Sequence, residues 1–269
     1  AAATCSGDFA IIHPSVEARI KTIRFIPMLS RPGKTSQPAL SNKALFNETG
    51  RLLRTALLAL FALLAAVPPA AAAKVAMALV LAVDVSESVD TGEYELQHEG
   101  IARAFENPEV IHTIHSVGGI DVLMLEWSDR DKQAIVAGWT KVTDAASGKA
   151  FAAKVRAGKR SSNGLTAIGD ALLAAGAAFE KVPDEPARRV IDISGDGMAN
   201  IGPRPDGVRD ALNAKGITIN GLAILASEPW LDTYYNNEVI GGDGAFLLQV
   251  KDFSSFATAL KQKLLAEIS

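Results

Sequence analysis

The fold of this chain is decided by residues 75–88, which read VAMALVLAVDVSES. The first nine of these residues are apolar, and a polar segment follows them directly. An unbroken apolar run of this length is typical of a central parallel strand, because helices cover such a strand on both faces. Asp84, Ser86 and Ser88 then alternate with two other residues, so an extended or turning backbone can aim their side chains at one point.

Apolar strands and amphipathic helices alternate along the chain from Lys74 onward. A five-residue polar turn joins two of the strands, and a turn that short predicts an antiparallel hairpin. We therefore predict an α/β fold: a doubly wound, mostly parallel six-stranded sheet with an antiparallel edge hairpin and helices on both faces. The predicted strands cover 75–83, 120–127, 133–139, 189–193, 217–225 and 245–250, and the predicted helices cover 92–105, 149–157, 166–182, 205–214, 229–237 and 253–268.

The N-terminal part of the chain lacks this alternation. Residues 1–50 contain scattered proline and basic residues without a sustained period, which predicts an unstructured extension. Residues 51–73 are typical of a bacterial signal peptide, with Arg51 and Arg54 before the apolar run 55–67 and small residues after it. That run is shorter than the roughly 20 residues that span a bilayer. We predict a periplasmic or secreted protein, with an uncleaved anchor as the alternative.

The predicted domain, residues 74–269, is acidic. The whole chain has 27 basic and 30 acidic residues, and residues 1–73 hold 8 and 3 of them, so the domain has 19 basic and 27 acidic residues and a net charge of −8. An acidic domain without a basic cluster argues against binding to nucleic acid or to an anionic membrane surface. The single cysteine, Cys5, lies outside the domain, which excludes a disulfide, a thiol nucleophile and a thiolate metal ligand there.

Three polar segments are predicted to meet at one edge of the sheet. One follows the first strand, one opens the predicted helix 166–182, and one follows the strand 189–193. In open α/β sheets, ligands bind outside the carboxyl ends of the strands, where the strand order reverses. Hydroxyl and carboxylate oxygens are the donors that Mg²⁺, Mn²⁺ and Ca²⁺ prefer, although each residue alone is also a common cap or turn former. The predicted metal ligands are Asp84, Ser86, Ser88, Thr166 and Asp196.

These segments resemble the metal-ion-dependent adhesion site of von Willebrand factor A domains. The resemblance is carried by Asp-x-Ser-x-Ser at 84–88, Gly-x-Thr at 164–166 and Ser-Gly-Asp-Gly at 194–197, and it extends over residues 74–269. The chain is most similar to an uncharacterised bacterial exported subgroup, which has TAIGDAL, here residues 166–172, and IDISGDG, here residues 191–197.

The resemblance implies a role for each predicted ligand. Ser86 and Ser88 would be direct hydroxyl ligands, Thr166 a ligand in the ligand-competent state, and Asp84 and Asp196 would act largely through water. Neutral direct ligands leave a cation electrophilic, so a partner's carboxylate can complete its coordination.

Two residues depart from the family pattern. Many relatives have a second glycine where Leu165 stands and a threonine where Gly195 stands. Neither change removes a donor, but Leu165 could narrow the approach of a bulky partner. In many relatives, ligand binding is also coupled to movement of the closing helix, here 253–268, and no residue in this sequence shows that coupling.

The sequence thus predicts an exported, non-enzymatic binding module, acting as a monomeric domain that uses a divalent cation to engage an acidic group on another protein. It predicts no binding to nucleic acid and no membrane insertion after signal cleavage. Two alternatives stay open. A metal-dependent hydrolase would need a base, such as Glu87 turned inward. A metal-independent scaffold would have lost the use of the site.

Several other residues have two interpretations. Asp170 could support the ligands or pack between helices, and Asp192, beside Arg188 and Arg189, could form a buried ion pair or support the site. Trp127 and Trp139 are predicted to pack as a pair. Trp230 is predicted to pack, with contact to a partner as the alternative. The histidines of the domain, His98, His112 and His115, are interpreted as surface or packing residues.

Overall fold

The computed structural model describes residues 74–269. The predicted extension and signal peptide lie outside the described residues. Within 74–269, none of the helices combines the length and the apolar character needed to cross a membrane.

The sheet has six strands, as predicted. Its order is β3-β2-β1-β4-β5-β6, and all neighbouring strands are parallel except β2 and β3, which form an antiparallel edge hairpin. The strands are β1 (Lys74–Asp84), β2 (Ile120–Trp127), β3 (Gln133–Val142), β4 (Glu185–Gly195), β5 (Ile217–Ile224) and β6 (Leu247–Val250).

Within residues 74–269, seven α-helices lie on the two faces of the sheet. They are α1 (Thr91–Glu106), α2 (Pro108–Ser116), α3 (Ala145–Ala157), α4 (Ile168–Ala178), α5 (Pro205–Asn213), α6 (Leu231–Tyr234) and α7 (Phe256–Ile268). Short 3₁₀ turns follow α4 and precede α7, and a π-helical turn, Tyr235–Val239, follows α6.

Two helix predictions need correction. Helix α2 was not predicted, although Asn107 accepts hydrogen bonds from the Glu109 and Val110 amides and Pro108 takes the first helical position, a common start signal. Helix α4 begins at Ile168 and not at Thr166, because the backbone of Ala167 is not helical. Thr166 therefore lies in the loop before the helix.

The apolar run of β1 serves two cores. Met77, Leu79 and Leu81 face one way and pack with α1, α2, α3 and α7. Ala78 and Val80 face the other way and pack with α4, α5 and the π-helical turn. This burial on both faces is the reason that residues 75–83 of β1 are apolar at every position and not at every second one.

A buried ionic cluster anchors α7 to the sheet. Lys263 on α7 is fully buried, and its Nζ lies 2.8 Å from Oδ1 of Asp192 on β4 and next to the Glu267 carboxylate. Burial raises the pKa of Asp192 to about 7. Asp192 thus forms a buried ion pair, as one interpretation held, but its partner comes from α7 and not from Arg188, which donates to the Glu267 carbonyl at 2.6 Å.

The two tryptophans of the hairpin region lie apart. Trp127 ends β2 and stands opposite Gln133 in the ladder. Trp139 packs on Phe179, with ring centroids 5.9 Å apart, and donates to the Ala178 carbonyl. The predicted packed pair is therefore not among the aromatic contacts of residues 74–269.

Candidate metal centre

The predicted site lies where the strand order reverses. Strands β1 and β4 are neighbours, but the chain leaves β1 toward β2 and leaves β4 toward β5. Val83 is in register with Ser194, so Asp84 and Asp196 emerge side by side from the two strand ends. A crevice at the carboxyl ends of strands is the usual place for a ligand in an open α/β sheet.

Hydrogen bonds link four of the five predicted ligands. The Ser88 hydroxyl donates to Asp196 Oδ1 at 2.7 Å, and the hydroxyls of Ser86 and Ser88 lie 3.2 Å apart. The Ser86 amide donates to Asp84 Oδ1 at 2.7 Å, which closes a tight turn after β1. Asp84, Ser86 and Asp196 are buried, whereas Ser88 is exposed, so the cluster opens to solvent at Ser88.

Thr166 is held beside this cluster by backbone contacts. The Glu87 amide donates to the Gly164 carbonyl at 2.8 Å, which joins the loop before α4 to the loop after β1. Asn200 binds both backbone groups of Thr166. Its side-chain Oδ1 accepts from the Thr166 backbone amide at 2.9 Å, and its backbone amide donates to the Thr166 carbonyl at 3.0 Å. Asn200 was missed in the sequence, where nothing distinguishes it from any turn asparagine.

The two carboxyl groups of the site both have raised pKa values. Burial and the nearby Asp196 carboxylate raise the pKa of Asp84 to about 7, and burial also raises the pKa of Asp196. Oδ2 of Asp84 is buried and has no hydrogen-bond partner among the described residues. Two crowded carboxylates with an unpartnered oxygen, next to serine hydroxyls, form a donor set that fits a hard divalent cation.

Hydroxyls are essential to that fit. Within residues 74–269, no three His, Cys, Asp or Glu side chains converge as a metal site. A cation at this edge of the sheet would therefore depend on the serine and threonine oxygens as well as on the carboxylates.

Arg160 holds the loop after β1, and it was not identified from the sequence. Its Nη2 donates to the carbonyls of Val85, Ser86 and Val89 at 2.9, 2.8 and 2.8 Å. A guanidinium that binds three carbonyls of one loop fixes the path of that loop, and with it the direction of the serine side chains. No short-range spacing identifies Arg160, because it follows α3 and is distant in sequence from the loop that it binds.

A buried glutamate supports the segment around Arg160. Glu126 on β2 accepts hydrogen bonds from Tyr94, His98 and the Ser161 amide at 2.9, 2.9 and 2.7 Å. Burial alone would favour the neutral acid, but these hydrogen bonds lower the pKa of Glu126. His98 is thus a packing residue, while His112 and His115 are exposed on α2.

Of the two departures from the family pattern, the one at Gly195 has a local explanation. A Cβ at Gly195 would lie 2.6 Å from the Tyr235 hydroxyl and 2.8 Å from Asp84 Oδ2, so no larger residue fits there without movement. Leu165 is 43% exposed at the edge of the site. Asp170 packs against Gly202, which has a positive φ of 87°. Among the described residues, no hydrogen bond joins Asp170 to the predicted ligands.

Comparison with protein families identifies the domain. A family model described as "Protein of unknown function (DUF1194)" matches residues 74–269. The chain belongs to the DUF1194 family. The matched range is the predicted domain, and comparison of this DUF1194 chain with curated proteins gives no match.

Solved structures show which fold the DUF1194 domain has. The proximal thread matrix protein 1 (PTMP1) from the mussel byssus, in a structure with a zinc-occupied MIDAS motif, is 17% identical with a TM-score of 0.52, over 73% of this chain and 49% of that chain. The von Willebrand factor type A structure from Catenulispora acidiphila is 16% identical with a TM-score of 0.51, over 72% and 43%. The vWF domain of the type V pili tip protein Mfa5 from Porphyromonas gingivalis is 10% identical with a TM-score of 0.51, over 72% and 97%.

The DUF1194 domain therefore has the von Willebrand factor A fold. These identities are too low to carry more than the fold. The chain spans about half the length of PTMP1 and less than half that of the Catenulispora chain.

Proposed function

We propose that residues 74–269 form an exported, non-enzymatic binding module that holds a divalent cation and uses it to bind an acidic group on a partner protein. The observation that carries this proposal is the hydrogen bond between Ser88 and Asp196, which joins the ends of β1 and β4 into one cluster of oxygen donors. The zinc-occupied MIDAS motif of PTMP1 and the pilus tip protein Mfa5, which share the fold, support it.

Each side chain of the cluster has a distinct task in this proposal. Asp196 accepts a hydrogen bond from the Ser88 hydroxyl and so orients it, whereas Asp84 accepts one from the Ser86 amide and fixes the backbone of the turn. The hydroxyls of Ser86, Ser88 and Thr166 are neutral donors and do not cancel positive charge. A bound Mg²⁺, Mn²⁺ or Ca²⁺ would supply the positive centre that attracts a partner's carboxylate.

The edge of the site adds an apolar contribution to the proposed contact. Leu165 directly precedes Thr166, and Met198 follows Asp196 by two residues; both are exposed, at 43% and 37%. Trp230, 48% exposed, precedes α6, and Tyr234 in α6 accepts a hydrogen bond from the Ala199 amide at 3.3 Å. Exposed apolar side chains on three loops around one polar cluster suit an acidic side chain flanked by apolar residues.

Metal removal tests the first half of the proposal. Saturating Mg²⁺, Mn²⁺ or Ca²⁺ should raise the Tm of the EDTA-treated protein by about 5–10 °C at a hundredfold excess over Kd, because a ligand that binds only the folded state stabilises it. Asp84→Ala should abolish the shift, measured by differential scanning fluorimetry. The matched control is Asp210→Ala, which removes an exposed carboxylate outside the cluster and should leave the shift intact. An equal Tm with and without each cation would contradict the metal assignment.

A pull-down from a periplasmic extract tests the second half. Partner capture by the purified domain should be lost in EDTA, restored by Mg²⁺, and lost in the double variant Ser86→Ala/Ser88→Ala. Capture that survives both treatments would instead support the metal-independent scaffold. Phosphatase, esterase or protease turnover that disappears in Asp84→Ala would support the hydrolase.

A further inference from the structure

Three buried polar atoms lie around Gly195 without a hydrogen-bond partner among the described residues. They are Oδ2 of Asp84, the hydroxyl of Tyr235 and Nε1 of Trp127. A buried polar group without a hydrogen-bond partner destabilises the folded state, and native proteins rarely tolerate one. Three such atoms near one residue therefore indicate that their groups interact with one another.

The missing side chain of Gly195 brings these atoms together. The point where its Cβ would stand lies 2.6 Å from the Tyr235 hydroxyl, 2.8 Å from Asp84 Oδ2 and 3.3 Å from Cζ2 of Trp127. The two oxygens thus flank one point on the same side of the Gly195 backbone. A phenol hydroxyl donates a hydrogen bond, and an ionised carboxylate can only accept, so their chemistry is complementary.

The position of Tyr235 is fixed by the fold. Tyr235 is fully buried at the start of the π-helical turn, and its ring packs on Gly221 of β5, where a Cβ would lie 3.1 Å from Cδ1. Trp127 is in register with Asp84 at the end of the neighbouring strand. Regular elements of the fold therefore hold the Tyr235 hydroxyl and the Trp127 ring close to the space that Oδ2 of Asp84 adjoins.

We propose that Tyr235 is a positioning residue of the candidate metal centre, whose hydroxyl orients Asp84 through Oδ2, directly or through a shared water. The Ser86 amide already holds Oδ1 of the same carboxylate. With both oxygens held, Asp84 keeps one orientation and fixes Ser86 in turn. This inference rests on the proposed function, because it assigns a supporting residue to that site.

Tyr235→Phe tests the inference, because it removes only the hydroxyl. We expect the apo protein to fold and its Mg²⁺ affinity, measured by calorimetry, to fall about tenfold, as for other groups that orient metal ligands. The control is Thr218→Val, which removes a hydroxyl that binds the Asp243 carbonyl at the opposite end of the sheet; the Mg²⁺ affinity of this variant should stay within about twofold of wild type. An unchanged affinity in Tyr235→Phe, together with an equal or higher Tm, would overturn the inference, because an idle buried hydroxyl is better removed.

A second measurement separates this inference from the proposed function. If the wild-type protein itself binds no cation, the proposed function fails, and Tyr235 is then tested in the apo protein by combining Tyr235→Phe with Asp84→Asn. Groups that interact give Tm shifts that do not add, and groups that do not interact give additive shifts. Additive shifts would overturn the role of Tyr235 whatever the metal result.

Discussion

At the residue scale, a single glycine, Gly195, determines how closely the groups of the candidate metal centre can approach β4. Because it has no side chain, Asp84 and the Tyr235 hydroxyl can both lie close to the same face of β4. Burial of Asp84 next to that glycine raises the pKa of its carboxyl group, and a nearby positive charge would lower this pKa.

Gly195→Ala should destabilise the protein by about 1–3 kcal/mol, the usual cost of overpacking a buried site, because the new methyl group would lie within 3 Å of two oxygens. Urea unfolding would measure the loss. Gly197→Ala is the matched control, since a Cβ there would meet no atom within 4 Å. Equal stabilities for the two variants would contradict the close packing around residue 195.

The sequence could supply part of this residue-scale site. Asp84, Ser86, Ser88 and Asp196 were predictable, because each follows an apolar strand and parallel strands end at one edge. Arg160, Asn200 and Tyr235 were not predictable. Their contacts depend on the paths of loops that bring distant residues together, and a single sequence contains no periodic signal for such paths.

The loop after β1 is the element on which the site depends most. Its carbonyls bind one guanidinium, and its Glu87 amide binds the loop before α4. Both ties come from outside the loop, so its conformation is imposed by its neighbours. The same holds for the start of α4, which was predicted at Thr166, whereas Asn200 keeps that residue in the preceding loop.

Arg160→Gln should lower the free energy of unfolding by about 2 kcal/mol, because three loop carbonyls lose a charged donor. It should also weaken the Mg²⁺-induced Tm shift, since the serine side chains lose their fixed direction. Arg103→Gln, which removes an exposed ion pair with Glu99, is the control and should change stability by less than about 1 kcal/mol. A full Mg²⁺ shift in a folded Arg160→Gln variant would contradict the role given to Arg160.

At the scale of the whole molecule, the alternation of strands and helices was enough to predict the fold class, the strand count and the edge hairpin. Continuous apolar runs mark strands buried on both faces, and that signal does not depend on loops. The buried cluster of Lys263, Asp192 and Glu267 was only half predictable. Asp192 stands out in an apolar strand, but nothing local identifies a lysine on the last helix as its partner.

Lys263→Met should destabilise the domain by about 3–5 kcal/mol at pH 8, because it leaves buried carboxylates without their cation. The loss should be smaller at pH 5. Burial already raises the pKa of Asp192 to about 7, and removal of Lys263 raises it further, so the folded variant keeps a proton that the unfolded chain releases. The contribution of that proton to the free energy of unfolding of the variant is present at low pH, and it is lost as the pH rises through the folded-state pKa.

Urea unfolding of Lys263→Met at several pH values measures this dependence. The control is Lys261→Met, which removes a surface pair with Glu109 from the same helix and should cost less than about 1 kcal/mol at both pH values. A pH-independent loss in Lys263→Met would show that the cluster does not exchange protons with folding.

The position of β1 has a mechanical consequence. Its last residue, Asp84, belongs to the candidate metal centre, and the strand is paired with parallel neighbours on both sides, β2 and β4. A pull on Asp84 that is directed along the axis of this strand would load both ladders in shear, so many of their hydrogen bonds would have to break together. An antiparallel hairpin pulled from its open end gives way one pair at a time, whereas this arrangement resists as a unit.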